Sequence, residues 1–549
     1  MPKQPKRIEF DMDVRNSMTA GVRKIARAVK STLGPSGRNA LLDRGWGEPH
    51  VTKDGASVAE EVDLQDPFEN MAAKLIRQAA EKTSDKAGDG STTATVLAEA
   101  IYAEGVKLIS AGHSPMILSR GIRSAVEQAK ERIQKVALKV KDREQIEAVA
   151  TIAANSDRTI GKMIADAMEK VGKDGTITIE DSKGIDTTID VVEGMEFDRG
   201  FLSPHFVTDP DKMVCELRDP LILIMEEKIS ALVKILPILE RILEARRPLL
   251  IIAEDVEGEV LATLVVNKMK GVLKCAAVKA PAYGDRRKAM LQDIAILTGG
   301  KPIFKDLGVE PENITLDDLG SAKRVILLAE KTTIVEGAGN PKEIKARAAE
   351  IRKERETVTS DYDREKLDER LAKLVGGVAV IKVGAATESE MKERKGRYES
   401  ALSATRSAIE EGILPGGGVA LLRISQEIHA DPKAMDTERL GVECVRKAME
   451  APLRQLAINA GKEPAEIIRE LRDGKATQGY DLVKDEFCDM IKSGIIDPAK
   501  VTRIALENAS SVASLLLTAD AMIAKAPEKK EPAHDHGGEG EGEEDFGDY

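Results

Sequence analysis

The hydrophobic patterning of this chain changes character twice, and that constrains its fold more than any single motif. The first 135 residues read as mostly helical. Residues 176 to 383 mix short apolar runs with helices, and from Arg397 long helical patterns return and end near Ala526. A strand-bearing stretch enclosed by helical ones predicts a domain inserted into a helical one through two chain crossings. Gly194 and the pair Gly376-Gly377 bracket that stretch. Glycine there permits a hinge, although such glycines more often simply end strands. A length of 549 residues calls for three or four domains at the usual ~100–200 residues each. The fold class is therefore multidomain α+β / α/β.

Local signals fit this division. Asp66-Pro67-Phe68-Glu69 reads as an N-cap, a first-position proline and a capping-box glutamate. Phe68, Met71, Leu75, Ile76 and Ala79 follow it at helical spacing. The apolar runs at 221–225 and 249–253 are too short to cross a bilayer and read as buried strands. The basic start of the chain runs into Ile8-Glu9-Phe10-Asp11 rather than an apolar segment, which argues against a secretory signal.

The chemistry concentrates at residues 87–94, Ala-Gly-Asp-Gly-Ser-Thr-Thr-Ala, which run into the helical pattern of Val96, Leu97, Ala100 and Ile101. Gly88 and Gly90 allow the backbone to approach a ligand. The free N–H groups of a helix start attract an anion, and Asp89 is a hard oxygen ligand suited to Mg²⁺ shared with phosphates. Taken alone, the segment reads more readily as a Gly-Asp-Gly turn followed by an ordinary cap. It has company in Thr32-Leu33-Gly34-Pro35-Ser36-Gly37-Arg38-Asn39, in Thr52-Lys53-Asp54-Gly55 and in Pro415-Gly416-Gly417-Gly418. No Gly-x-x-x-x-Gly-Lys-Ser/Thr occurs, so this is not a P-loop.

Composition narrows the partners. A net charge of -12, with one Trp, six Tyr and eight Phe, weighs against a nucleic-acid partner, despite a Gly-x-x-Gly at 34–37 and the basic Arg286-Arg287-Lys288. Four scattered cysteines offer neither a disulfide framework nor a zinc site, and a reducing, cytoplasmic compartment is expected, with no membrane partner. A small-molecule phosphotransferase would need an acceptor base near the Gly-Asp-Gly loop, and the six histidines form no such constellation. The segment from Ala526 onward holds nine Asp or Glu against two Lys and is expected to be disordered. Its His534-Asp535-His536 triplet reads as solvated tail rather than a metal site.

The phosphate-type segments, together with Glu193-Gly194-Met195-Glu196-Phe197-Asp198-Arg199-Gly200, Ala253-Glu254-Asp255-Val256-Glu257-Gly258, Gly284-Asp285-Arg286-Arg287-Lys288-Ala289-Met290-Leu291 and Val380-Ile381-Lys382-Val383-Gly384-Ala385-Ala386-Thr387-Glu388, resemble the group I chaperonins, the GroEL family. The resemblance covers nearly the whole chain. It implies a mostly helical equatorial domain at 1–135 and 411–526, a small intermediate domain at 136–192 and 379–410, an α/β apical domain at 193–378, and a tail at 527–549 where many relatives carry Gly-Gly-Met repeats. It implies hinges near the bracketing glycines and an ATP-driven folding machine. Its partners would be unfolded or partly folded proteins, a smaller GroES-type co-chaperonin, and itself in seven-membered rings, usually two stacked, with Arg454 and Glu463 as candidate contacts between rings.

Carried over residue by residue, the resemblance places ATP and Mg²⁺, with K⁺ a further candidate cation, against Thr32, Leu33, Gly34 and Pro35, against Lys53 and Asp54, against Asp89, Gly90, Ser91, Thr92 and Thr93, and against Gly417. Asp481, Leu482, Val483 and Asp497 match the nucleoside end, and Asp89 is the metal ligand. One position departs: where the family has an aspartate that positions the attacking water, this chain has Ser400. A serine hydroxyl is no base. Glu399, one residue along a helix, is turned by about 100°, and Asp54 is a partial substitute. Slow hydrolysis is expected, as is the related reading of a divergent paralogue that mainly holds clients. The family's client and co-chaperonin groove maps onto Leu236, Leu239, Leu261, Val265 and Val266, with Phe201, Ser203 and Phe206 beside it. His205 stands where an aromatic is usual, and client capture is expected to weaken at acidic pH.

Overall fold

The computed structural model describes residues 5–43, 49–172, 175–182, 184–210, 212–305, 311–358 and 360–525. The acidic tail and its His534-Asp535-His536 triplet lie outside them. The chain forms three principal hydrophobic cores. The first is helical and is shared by the two ends of the sequence. Helices Asp11–Lys30, Pro67–Ala87, Ser91–Ser110 and Pro115–Val136 pack with Asp436–Ala448 and Ala499–Thr518. Ile25, Phe68, Ile76, Leu97, Ile101, Ile122, Leu506 and Leu516 are fully buried among them. Two short strands, Lys6–Phe10 and Ala521–Lys525, close the circuit as an antiparallel ribbon with Lys6 opposite Lys525. The returning helices thus end at Thr518 rather than near Ala526, because the last residues pair with the first.

The expected start of helix Pro67–Ala87 is present in part. The Asp66 carboxylate accepts from Phe68 N at 2.9 Å and Glu69 N at 3.1 Å, and Pro67 occupies the first turn. Glu69 pairs with Lys24 of the neighbouring helix instead of reaching back to its own cap.

The second core is built on a three-stranded sheet. Its central strand, Val378–Val383, runs parallel to Thr176–Asp181 and antiparallel to Thr188–Val192. Helices Arg143–Ala153, Arg158–Val171 and Glu388–Glu411 cover it through Ile146, Ile164, Met168, Tyr398 and Leu402.

The third core surrounds a seven-stranded sheet. Strands Leu221–Ile224, Leu249–Ala253 and Cys275–Lys279 are parallel and wholly apolar apart from Lys279, as strands covered on both faces are. Gly320–Leu327, Thr332–Gly337 and Gly194–Phe197 continue the sheet antiparallel, and Cys215–Arg218 joins at Gly320–Leu327. Helices Leu232–Ala245 and Gly258–Met269 are the two crossovers of the parallel strands. Right-handed crossovers taken in one direction put both on one face of the sheet. Glu259 fixes their relation by accepting from Leu232 N at 2.9 Å.

The chain enters and leaves this third module side by side. Val192 pairs with Val378, and a Cβ on Gly194 would fall 2.6 Å from Val378 Cγ2. Gly377 is left-handed, φ 65°, and a Cβ there would meet Val192 O at 2.7 Å. Both crossings are therefore too tight for a larger residue, which by itself accounts for glycine there. Among the described residues no helix is long and apolar enough to cross a membrane.

Candidate functional site

Helix Pro67–Ala87 ends at Gly88, φ 71°, and helix Ser91–Ser110 is capped by Gly90, φ 86°. Two left-handed residues flanking Asp89 turn the chain back within three positions. L-residues with a Cβ adopt that conformation only at a cost. Ala94 N is the first amide of the new helix to find its helical acceptor, Gly90 O at 2.9 Å. The amides of Ser91, Thr92 and Thr93 precede it and are available to an anion.

Three other segments close around this turn. Thr32 to Pro35 follow the helix Asp11–Lys30, with Gly34 left-handed at φ 81°. Asn459 clamps that segment by donating its Nδ2 to Lys30 O and Leu33 O, both at 2.9 Å. Lys53 and Asp54 lead into the short helix Gly55–Glu60, and a Cβ on Gly55 would lie 2.0 Å from Thr92 Oγ1. Close backbone approach is therefore what brings Asp54 to the helix start. Asp54 Oδ2 accepts from Ser57 N at 2.7 Å and Ser57 Oγ at 2.8 Å, and the residue lines the cavity. Strand Ile413–Pro415 pairs with Ile496–Pro498, which sets Gly417 beside Asp497.

All seventeen residues that the sequence assigned to nucleotide binding and hydrolysis, spread from Thr32 to Asp497, line one cavity of about 1240 Å³.

Two carboxylates dominate its electrostatics. Withdrawal from water pushes Asp497 up to about 7 from an ordinary 3.8, with the charge of Asp89 adding to the rise and the Gly417 amide opposing it. Withdrawal from water likewise raises Asp89 to about 6, the amide of Gly90 opposing at 2.6 Å and the charge of Asp54 adding. Asp497 is thus within electrostatic reach of Asp89. Lys53 is lowered by burial and then by Arg397. Asp481 is buried and spends its carboxylate on the turn, accepting from Val483 N at 2.9 Å and Lys484 N at 3.1 Å.

Two carboxylates with raised pKa values, and no cluster of three or more ligating side chains among the described residues, fit a cation that takes most of its ligands from phosphate and water. A pH dependence follows. A raised carboxylate favours the protonated folded state, so its stabilising contribution is full at low pH and is lost as pH rises through 6 to 7. Cation binding needs the charged forms. Mg²⁺-dependent nucleotide binding is expected to release protons and to weaken below about pH 6, both readable by calorimetry in buffers of different ionisation enthalpy. Equal proton release in Asp89→Asn would contradict this.

Ser400 reaches the cavity from the helix Glu388–Glu411. Lys392, Glu393, Gly396, Arg397, Ser400 and Ser403 form one face of that helix against the site. Ser407 Oγ donates to Ala87 O at 3.1 Å, and Ser403 packs on Gly88. Apart from Ser400, the sequence reading missed this face, as it missed Asn459 and the left-handed Asn155 and Ser156.

On the third module the crossover helices expose part of their apolar surface. Leu236 is 43% exposed and Val266 46%, while Leu261 and Val265 are half-buried. Phe206 and Leu239 instead belong to the core, and Ser203 is buried with its hydroxyl accepting from His205 N. Phe201 is half-buried and His205 exposed. Val233, Leu243 and Met269, not singled out by the sequence, extend the exposed face.

The model of the TCP-1/cpn60 chaperonin family matches residues 25–527, so the chain belongs to that family. Chaperonin GroEL 1 of Rhodopirellula baltica (strain DSM 10527 / NCIMB 13988 / SH1) is 56% identical over 540 residues, covering 97% of this chain and 95% of that protein. Within the family, the chain is a group I chaperonin.

Proposed function

We propose that this chaperonin captures non-native proteins on the exposed apolar face of its third module and releases them into a ring chamber under the control of ATP bound in the large cavity. The convergence of all seventeen predicted residues on that cavity is the observation that carries the reading. Asp89 would hold Mg²⁺, which neutralises phosphate charge when bound. The free amides at 91–93 bind phosphate oxygens, the Thr32 to Pro35 segment shapes the wall, and the Asp481 turn supports the nucleoside end. The equatorial, intermediate and apical assignments follow the three cores, with bending at the paired crossings. Seven-membered rings, a GroES-type partner and a cytoplasmic setting come from the family.

An exposed apolar patch holds unfolded chains because it offers area without sequence-specific hydrogen bonding. The double variant Leu236→Ser, Val266→Ser is expected to lose most capture of an unfolded client, measured by suppression of its aggregation, while melting as wild type does. Leu239→Ala is expected to behave oppositely, losing ~2–5 kcal/mol of stability as a buried leucine does. Unchanged capture by the double variant would remove the apolar face from the proposal. Release of captured client on adding Mg²⁺ and ATP tests the coupling directly.

The departure at Ser400 makes hydrolysis slow in this reading, so ATP binding and closure outlast those of an Asp-bearing relative. A chaperonin that chiefly holds its clients is the limiting case.

A further inference from the structure

The helix that carries Ser400 brings a second group to the same cavity. Glu399 lines it, and both of its carboxylate oxygens face Lys212 Nζ, at 3.1 and 3.3 Å. Lys212 belongs to the third module. It sits at the tip of the turn that joins Asp209 to Val214, with its own amide donating to Asp209 Oδ1 at 3.2 Å. The base of that turn is tied to the apolar face, because Lys268 of the helix Gly258–Met269 donates to Val207 O at 2.6 Å. One ion pair therefore joins the helix over the nucleotide cavity to the module that would bind clients.

Most other carboxylates at the cavity have partners of their own, Glu147 with Arg143 at 3.2 Å among them. Glu393 pairs with Arg397 at 2.7 Å, Asp54 caps a helix, and Asp481 closes its turn. Asp89 and Asp497 are the pair suited to a cation. On the helix Glu388–Glu411, Glu399 is the lining carboxylate held only by a half-exposed lysine, and exposed ion pairs of this kind are weak and easily exchanged.

Resting on the reading of the cavity as an ATPase site, we propose that Glu399 is the catalytic carboxylate this chain uses in place of an aspartate at 400, and that Lys212 is a positioning residue that holds it in reserve. Movement of the third module away from the helix breaks the pair and frees the carboxylate. Glu399 then accepts a proton from the attacking water as the new O–P bond forms and the bond from the γ-phosphorus to the β–γ bridging oxygen breaks, leaving ADP and inorganic phosphate. Hydrolysis is thereby conditional on the position of the client-binding module.

The test is single-turnover hydrolysis of bound ATP by the full chain, with ATP affinity measured on each variant. Glu399→Gln is expected to slow hydrolysis by at least ~10-fold, toward the ~10²- to 10⁴-fold of a positioned base, with affinity unchanged. Lys212→Ala is expected to hydrolyse faster than wild type, Lys212→Arg to match it, and Lys212→Ala with Glu399→Gln to lose the gain. A merely structural ion pair predicts that Glu399→Gln and Lys212→Ala shift the rate in the same direction, and that result overturns the proposal. So does Glu399→Gln hydrolysing at the wild-type rate. Brisk wild-type turnover with a slow Glu399→Gln would refute slow hydrolysis while upholding Glu399.

Discussion

Ser400→Asp is expected to raise steady-state ATP turnover by tenfold or more. A positioned base contributes ~10²- to 10⁴-fold to such a step, and ~1.4 kcal/mol of barrier corresponds to each factor of ten. Ser400 is on the helix face that lines the cavity, so a carboxylate there would point into the site without rearrangement of the helix. Its neighbours Ser403 and Ser407 hold that face against Gly88 and Ala87. The gain is bounded by what Asp54 and Glu399 already supply. Asp54 has one oxygen engaged by Ser57, which limits its freedom to orient water. Matching, brisk rates in wild type and variant would show that existing groups suffice and would make ordinary ATP-driven folding the better account. Capture of client without nucleotide should be the same in both proteins, since Ser400 lines the cavity and is not part of the apolar face.

The glycine-flanked part of this cavity was legible because it is built from residue types with few other uses in combination. Glycines at Gly34, Gly88, Gly90 and Gly417 are all left-handed, and the carboxylates between and beside them face the cavity. The exposed apolar face of the third module was read less well. The segment Leu232–Ala245 is apolar on more than one side, and a one-residue error on a helix rotates the face by about 100°. Leu236 was therefore placed correctly on the exposed side while Leu239, three positions on, is core. The pairing of Lys6–Phe10 with Ala521–Lys525 left no signal, since each strand is short and its partner is at the other end of the chain. Asn459 was invisible for a similar reason: its role depends on backbone carbonyls more than 400 positions away.

Asp293→Asn is expected to destabilise the third module by ~3–5 kcal/mol, the usual cost of removing one member of a buried ion pair. Asp293 is fully buried on the helix Asp285–Thr298. Its Oδ1 accepts from Arg347 Nε at 2.8 Å and Arg370 Nη2 at 3.1 Å, and its Oδ2 from Arg370 Nε at 2.7 Å. Arg347 and Arg370 lie on the successive helices Pro341–Thr357 and Asp361–Val375, so this one carboxylate fastens both to the helix Asp285–Thr298. Asparagine keeps the shape and removes the charge, leaving two largely buried guanidinium groups without their shared counterion. The second of these helices ends directly before Gly376-Gly377, where the chain leaves the module. Loosening it should therefore soften that crossing as well as lower the melting temperature. For a module of this size, a loss of that magnitude corresponds to roughly 6–20 °C in the melting of the third module. Nucleotide binding should survive, because none of these residues lines the cavity. Replacing all three charged residues by apolar ones of similar volume should recover much of the loss, since no buried charge then remains uncompensated. An unchanged melt in Asp293→Asn would mean that water reaches the two arginines and that the helices are held by their apolar contacts alone.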